Sequence, residues 1–346
     1  MILRAGPVCC LVAAITSPAV ARDLTIALRP GMAEFARSGL IDSFVAPFAT
    51  QAGARADVVD RVLDPPVPAG DPPAWDVADM SGPELITACA AGTVEKLDWA
   101  AIGGRDRMLA RAASDCGMGA FLRATVLAWD RDKFQATPTW ADFGDIAKYP
   151  GKRGLRRGVA GTLEIALLAD GVAPADVYST LRGADGVERA FRKLDQLKPY
   201  LVFWSGHGDK PVDAVALLGS GDVLMTSAPA ERVVEANRSR HRNFGIQWAG
   251  GLNAVESWVI AKGSPNLGDA QKFLAFASDP KAQARLLGSV AFGGAARTAA
   301  DGLAPDLLAI DPAAPANLAV AVPVDATFWH DNLDKLRPRF EAWLAH

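Results

Sequence analysis

The sequence of 346 residues has few of the groups on which enzyme chemistry usually depends. It contains only four cysteines, four histidines and three tyrosines. A Gly-x-Ser-x-Gly elbow, a Gly-x-Gly-x-x-Gly turn after a strand, a His-Glu-x-x-His pair and a calcium loop are all missing. The histidines show no ligand spacing with one another or with the cysteines, so neither a metal nor a cofactor is expected. The sequence therefore predicts no catalytic residues and no enzymatic activity.

An excess of charge of one sign is also lacking. The chain has 36 lysines and arginines against 39 aspartates and glutamates, which gives a formal net charge of −3. Because no basic block stands out, a nucleic-acid partner is not expected. The 23 prolines and 32 glycines are spread along the chain, which argues against a disordered or collagen-like protein. The length predicts about two domains.

Long apolar runs are missing after the N-terminus, so we expect no segment that spans a membrane. The first residues carry one positive charge, Arg4, followed by the apolar stretch Val8–Ile15 and small residues up to Ala21. This layout is typical of a secretory signal peptide. The sequence predicts a signal peptide over residues 1–21, cleaved after Ala21, and a periplasmic mature protein.

The cysteines divide into two pairs. Cys9 and Cys10 lie in the predicted signal peptide, where the preceding residues do not favour lipidation. Cys89 and Cys116 remain in the mature chain, and an exported protein with two cysteines usually joins them. We therefore expect a Cys89–Cys116 disulfide, with two free buried thiols as the alternative.

Short apolar runs alternate with amphipathic ones along the mature chain. Strands are predicted at 23–28, 56–63, 75–80, 122–129, 201–204, 223–227 and 258–261, and helices at 33–51, 83–91, 140–146, 163–169, 187–197, 267–277, 280–287 and 331–344. This alternation indicates an α/β fold with mainly parallel sheets. The basic cluster from Lys152 to Arg157 is interpreted as a solvated turn, with contact to a membrane partner as the alternative.

Several segments occur together in a characteristic order. They are Asp115–Gly119, Thr125–Asp130, Pro138–Phe143, Tyr149–Leu155, Leu163–Val172, Gly186–Asp195, Glu256–Gly263 and Phe328–Leu344. This succession resembles the periplasmic substrate-binding proteins of ABC importers, in the spermidine/putrescine-binding family. The resemblance covers nearly all of the mature chain.

The resemblance implies a two-lobed periplasmic binding protein fold of the type II kind, in which helices flank the sheets and crossover strands form the hinge. Lobe 1 would combine residues 22–128 with 259–300, and lobe 2 would combine 129–258 with 301–346. A small amine-containing ligand, possibly a polyamine, would lie between the lobes. The receptor would be a monomer and deliver its ligand to inner-membrane ABC permease subunits.

The resemblance also implies which residues bind ligand. Glu256 falls where the family has a cleft aspartate, and it could pair with an amine; the alternative is a structural ion pair. Trp204 and His207 belong to a loop that matches a cleft-lining position. Ser81 ends a strand that faces the expected cleft. Arg29 follows the first strand at the same edge.

The expected pocket departs from the family pattern at four positions. Aromatic residues of the family fall near Arg29 and at Pro229 and Ala254, and a second carboxylate falls at about Gly161. A polyamine needs carboxylates and aromatic walls, and Arg29 would repel it. A ligand with a carboxylate or phosphate group plus an amine would suit Arg29 and Glu256 better.

Two other classes of function stay open at this point. One is an exported enzyme on the same two-lobed scaffold, since a fold does not determine an activity. The other is a sensory or chaperone-like binding protein without a role in transport.

Overall fold

The computed structural model describes residues 22–53, 55–61, 73–205 and 212–346. Within these ranges the strands are β1 (Leu24–Leu28), β2 (Ala56–Asp60), β3 (Val77–Ser81), β4 (Met118–Asp130), β5 (Arg153–Arg156), β6 (Leu201–Trp204), β7 (Met225–Pro229), β8 (Phe244–Ile260) and β9 (Val322–Pro323). The helices are α1 (Glu34–Leu40), α2 (Ala46–Ala52), α3 (Gly82–Ala90), α4 (Trp140–Gly144), α5 (Val159–Ala169), α6 (Val177–Arg182), α7 (Gly186–Leu197), α8 (Ala214–Ser220), α9 (Ala230–Ser239), α10 (Leu267–Ala277), α11 (Pro280–Val290), α12 (Pro305–Ile310), α13 (Pro315–Val320) and α14 (Ala326–Ala345).

The predicted elements can be compared directly with this order. The strand at 201–204 and the helix at 267–277 are confirmed with the same bounds. The prediction of a solvated turn over Lys152–Arg157 is wrong, because Arg153–Arg156 forms β5. Arg153 is fully buried and donates to the backbone oxygens of Phe143, Gly151 and Tyr149, so hydrogen bonds replace the water that a turn would have supplied.

All the strands join one hydrogen-bonded sheet in the order β2-β1-β3-β8-β4-β7-β5-β6, with β9 beside β8. The pairs toward both edges, β1 with β2 and β3, and β5 with β6 and β7, are parallel. The central pairs of β8 with β3 and β4, and of β4 with β7, are antiparallel. Helices flank this mixed sheet, as parallel connections require. The α/β, two-lobed fold expected from the sequence is confirmed.

Separate hydrophobic cores form on the two sides of the central strands. The first contains Phe44, Trp258 and Phe273, whose rings meet edge to face at centroid distances of 6.0 and 5.4 Å. The second contains Trp129 near the end of β4 and Trp329 from α14. Each core belongs to one lobe. The lobe boundaries expected from the sequence stay a prediction.

The long strands β4 and β8 carry the chain between the lobes. On β4, Leu122 packs in the first core and Leu127 in the second. The ladder shifts between these points, because residues 248–251 of β8 lie opposite a single residue of β4. Gly250 within this bulge has a φ of +74°, a conformation that residues with a Cβ rarely adopt. The ladder is therefore interrupted at the crossing point, where a hinge is expected.

The lobes also touch each other outside the crossing strands. Arg238 on α9 donates to the backbone oxygen of Gly288 on α11 at 3.0 Å. The Arg232 guanidinium lies over the Phe35 ring at 5.5 Å. Helix α3 of the first lobe packs against α14 of the second. The structure thus has both lobes in contact around the space between them.

A disulfide joins Cys89 to Cys116 with a Cα–Cα distance of 5.8 Å. Cys89 lies in the last turn of α3, and Cys116 lies two residues before the start of β4. The bond therefore ties the helix that begins at the inter-lobe space to the strand that crosses it.

Removal of this disulfide should destabilise the protein. The bond closes a loop of 27 residues, and the chain-entropy model gives a loss of about 3.5 kcal/mol in the free energy of unfolding. We expect this loss in urea unfolding of the Cys89→Ser/Cys116→Ser variant. Reductant should lower the stability of the unmodified protein and leave the double variant unchanged, and a reductant-insensitive unmodified protein would contradict the prediction.

Candidate functional site

The candidate site lies where strand ends of both lobes face each other. Arg29 follows β1, Arg61 follows β2 and Ser81 ends β3 on the first lobe, while Arg156 ends β5 on the second. Parallel strands place their carboxyl ends at one edge of a sheet, which is where open α/β sheets bind ligands. Glu256 comes from β8, opposite Ser81 in the ladder. The topology thus gathers side chains from distant parts of the sequence.

The strongest interaction in this region is the ion pair between Arg29 and Glu256. The Arg29 Nη2 atom lies 2.6 Å from Glu256 Oε2, and Nη1 lies 3.3 Å from Oε1, which makes the pair bidentate. Glu256 is only 4% exposed, whereas the Arg29 side chain keeps 26% of its surface exposed. Burial lowers the pKa of Arg29, but the carboxylates around it more than offset this effect, so the pKa is raised. Arg29 stays charged.

A second carboxylate, Asp79, lies beneath this pair in β3. The Arg29 backbone N–H donates to Asp79 Oδ1 at 2.6 Å. The other oxygen, Oδ2, is buried without a hydrogen-bond partner among the described residues and lies 3.9 Å from Arg29 Nη2. Burial and the nearby Glu256 raise the pKa of Asp79 to about 6, although Arg29 and Arg61 act in the opposite direction.

Ser81 and Glu84 form the start of α3 at the same edge. The Ser81 backbone N–H and hydroxyl both donate to Glu84 Oε2, at 2.8 and 2.7 Å, as in a capping box. Arg61 Nη2 binds the other Glu84 oxygen at 3.0 Å, and Arg29 Nη2 lies 3.5 Å from Oε2. Burial alone would raise the pKa of Glu84, but these partners lower it. The structure therefore places the Ser81 hydroxyl on Glu84, at the mouth of the site.

Arg123 on β4 connects the crossing strands to the second lobe. Its Nη2 lies 3.2 Å from Glu231 Oε1 in the first turn of α9, and its Nη1 lies 3.7 Å from Glu256 Oε1. The guanidinium also lies 5.9 Å from the Phe292 ring centroid. Arg123 stands opposite Ala254 in the ladder, one of the positions where an aromatic was expected. Arg123 thus lies beside Ala254, where the polyamine-binding family has an aromatic residue.

Arg156 supplies the third guanidinium. Its side chain is exposed in the space between the lobes and makes no hydrogen bond or ion pair with any residue that the structure describes. Burial by the surrounding walls lowers its pKa, and repulsion from Arg123 and Arg29 adds to this. Arg156 thus lies close enough to Arg123 and Arg29 to be affected by their charge. Arg156 is therefore an exposed cation without a hydrogen-bond or ion-pair partner among the described residues.

The structure describes one of the two remaining predicted site residues, Trp204, and leaves out the other, His207. Trp204, at the end of β6, is 6% exposed and packs in the apolar cluster of β7, α8 and α9. Its Nε1–H is buried without a partner among the described residues. His207 lies outside the residues that the structure describes.

The family pattern has a carboxylate near Gly161, and in this chain the nearest carboxylate in α5 is Glu164. Glu164 in α5 is fully buried and accepts from the Gly161 N–H at 2.9 Å, the Tyr178 hydroxyl at 2.6 Å and the Trp329 Nε1–H at 2.7 Å. Burial raises its pKa despite these donors. Glu164 thus holds the kinked start of α5 and is closed off from ligand.

Sequence reasoning missed Asp79, Arg123 and Arg156. Asp79 and Arg123 each interrupt an otherwise apolar strand, and a charge within a buried strand needs a partner. That signal could have marked both as site residues. Arg156 gave no such signal, because its strand was interpreted as a turn. Among the described residues, no cluster of three or more acidic, histidine or cysteine side chains could hold a metal ion.

Comparisons with known proteins place the chain among binding proteins. Residues 57–316 match the family model of the bacterial extracellular solute-binding protein. The gamma-aminobutyric acid (GABA)-binding protein of Pseudomonas aeruginosa is 40% identical over 272 residues, which cover 78% of this chain and 76% of that protein.

Solved structures agree in fold. An ABC transporter substrate-binding protein from Bradyrhizobium japonicum USDA 110 is 28% identical with a TM-score of 0.81, over 93% of this chain and 99% of that one. The Atu4243-GABA receptor is 26% identical with a TM-score of 0.76, over 93% and 98%. MotA from A. tumefaciens B6, in complex with glucopine, is 26% identical with a TM-score of 0.78, over 93% and 100%.

The raised pKa of Asp79 predicts a pH-dependent loss of stability. Its value changes from 3.8 to about 6 on folding, so between these values the folded protein binds the proton more tightly than the unfolded chain. The free energy of unfolding should fall as the pH rises from about 4 to 6, by at most about 1.4 kcal/mol per pH unit for this group. Above pH 6 the loss is complete.

The measurement is urea unfolding across this pH range for the protein and its Asp79→Asn variant. Asp311, whose pKa burial also raises to about 6, contributes equally to both proteins. The difference between the two stabilities therefore isolates Asp79. A difference that stays constant from pH 4 to 6 would refute the assignment.

Proposed function

The chain belongs to the bacterial extracellular solute-binding protein family, and we propose that it is the periplasmic receptor of an ABC importer for a GABA-like amino acid. Such a ligand carries one ammonium and one carboxylate group. It would lie between the lobes and be delivered to inner-membrane permease subunits by a monomeric receptor. The predicted signal peptide, residues 1–21, lies outside the described part of the chain. In that part, no helix combines the length and the apolar character needed to cross a bilayer.

The observation that carries this proposal is the unpaired guanidinium of Arg156. Arg156 is an exposed cation at the end of β5, and the nearby charges of Arg123 and Arg29 add to its positive potential. A carboxylate is the natural partner, since arginine binds carboxylates through two parallel hydrogen bonds. We therefore expect the ligand carboxylate at Arg156.

The opposite wall suits the ligand amine. Glu256, Glu84 and Asp79 lie together where β3 and β8 meet, and the Glu84 side chain keeps 36% of its surface exposed. A ligand ammonium can reach the Glu84 carboxylate without displacing Arg29, whereas Asp79 and Glu256 are buried. The two ends of a zwitterion thus have separate partners on the two lobes, and the ligand would hold the lobes together.

Polyamine binding, the finer expectation from the sequence, has less support. A polyamine has ammonium groups at both ends, so one end would meet Arg123 and Arg156. Like charges within a few ångströms repel by about 1 kcal/mol in water and by more where solvent is excluded. GABA is the ligand in the names of two similar proteins, the binding protein of Pseudomonas aeruginosa and the Atu4243-GABA receptor.

A ligand panel tests the proposal directly. We expect isothermal titration to detect binding of GABA and weaker or no binding of putrescine, spermidine and butylamine. GABA at 100 times its dissociation constant should stabilise the protein by about 2.7 kcal/mol, seen as a rise in melting temperature. Tighter binding of putrescine than of GABA would overturn the proposal.

Replacement of Arg156 should weaken binding without weakening the fold. A charge-assisted hydrogen bond contributes about 1.5–3 kcal/mol, so Arg156→Gln should raise the dissociation constant of GABA about 10- to 100-fold. Because the Arg156 side chain has no partner among the described residues, the melting temperature of the unliganded protein should stay the same. Both quantities are measured by titration calorimetry and thermal melting.

The neighbouring arginine provides a matched control. Arg157 pairs at the surface with Glu341 at 3.2 Å, and both side chains are at least half exposed. Arg157→Gln removes the same charge one residue away and should bind GABA as the unmodified protein does. Equal affinity in the Arg156→Gln variant would exclude Arg156 from the site.

A further inference from the structure

Arg29 occupies a position in which it contacts all the carboxylates of the first lobe's wall. Its Nη2 atom lies 2.6 Å from Glu256, 3.5 Å from Glu84 and 3.9 Å from Asp79. The side chain keeps 26% of its surface exposed, toward the space between the lobes. An arginine with a purely structural role, joining one strand to its neighbour, would need only one of these three carboxylates. The three together form a cation site that a side chain of the protein already fills.

The three carboxylates differ in how many partners they have besides Arg29. Glu84 has Arg61 at 3.0 Å and two hydrogen bonds from Ser81, so it is satisfied without Arg29. Glu256 has only Arg123, at the longer distance of 3.7 Å. Asp79 has no other cation in contact with it among the described residues, and its one hydrogen bond comes from a backbone N–H. Loss of the Arg29 guanidinium would leave Glu256 with Arg123 alone and Asp79 with no cation in contact among the described residues.

The charges around the cleft balance only because Arg29 is present. Four arginines (Arg29, Arg61, Arg123 and Arg156) face four carboxylates (Asp79, Glu84, Glu231 and Glu256). The formal sum is zero, which suits a ligand of zero net charge. Without the Arg29 charge the sum becomes −1, and the excess lies at Asp79 and Glu256.

We propose that Arg29 is a specificity-determining residue whose guanidinium occupies the site of a second ligand ammonium, so that the cleft accepts an amino acid and rejects a diamine. The inference rests on the proposed function, because it explains how a cleft rich in carboxylates selects a zwitterion. The Arg29 guanidinium pairs with Glu256, lies 3.9 Å from Asp79 Oδ2 and repels a further cation. A diamine gains this site only when the guanidinium is removed.

The test is the Arg29→Met variant, which keeps an unbranched side chain and removes the charge. Titration with GABA and putrescine compares two four-carbon ligands that differ in the charge of one end. We expect the dissociation constant of putrescine to fall at least tenfold relative to the unmodified protein. Putrescine should also raise the melting temperature of the variant by more than GABA does, because it replaces the lost cation.

Arg37→Met is the matched control. Arg37 lies in α1 of the same lobe and pairs with Asp60 at 2.8 Å, away from the carboxylates of the cleft. This variant should keep the ligand preference of the unmodified protein. Arg29→Gln, which removes the charge but retains hydrogen bonding, replaces Arg29→Met if the latter does not fold. Arg29→Lys keeps a cation and should gain no putrescine binding.

The outcomes separate this inference from the proposed function. If the unmodified protein binds no GABA but the uncharged Arg29 variants gain putrescine binding, the inference holds and the GABA assignment fails. If the unmodified protein binds GABA and a folded uncharged variant gains less than tenfold in putrescine affinity, the inference is overturned. A purely structural Arg29 would give that second result, with a lower melting temperature and unchanged preference. Tight putrescine binding by the unmodified protein would also overturn it, whichever variants fold.

Discussion

The arrangement of the cleft depends on the need of one buried carboxylate for a cation. Glu256 lies on the strand that crosses between the lobes and is only 4% exposed, so its charge requires a close partner. Arg29 supplies this partner in a bidentate pair and contacts two further carboxylates with the same group. One guanidinium thereby holds β1, β3, β8 and the start of α3 together. The ion pair stabilises the fold, and it also neutralises carboxylate charge that would otherwise be available to a cationic ligand.

The sheet explains why this cluster can form. Strands β1, β2 and β3 end at one edge and β5 ends at the facing edge, so the cleft collects side chains that follow strands. The long antiparallel strands β4 and β8 run behind them and contribute Arg123 and Glu256 from their middle. The crossing strands therefore form both the connection between the lobes and the floor of the site. Movement at the interrupted ladder near Gly250 would change the distance between Arg156 and the first-lobe carboxylates.

The sequence was informative about the fold to a large extent. The alternation of apolar runs predicted most strands and helices, because local periodicity records which face of an element is buried. The family resemblance located Glu256 and Arg29 at the cleft edge, and it identified Arg29 as unfavourable for a polyamine. Local patterns failed at β5, where arginines in a strand resembled a solvated turn. Arg153 is buried there only because carbonyl groups from other segments surround it.

Local patterns and the family resemblance were enough to predict the α/β class, the two-lobed fold, the Cys89–Cys116 pair and the residue types at several strand ends. These features depend on local periodicity and on the order of segments along the chain. The pairing of charges became visible only in the folded protein: Arg29 pairs with Glu256 and lies 3.9 Å from Asp79, and Arg156 has no partner among the described residues. Pairing of charges depends on distances between residues that lie up to 227 positions apart, and no local pattern encodes those distances. The guanidinium without a partner among the described residues is the one that we propose for the ligand carboxylate.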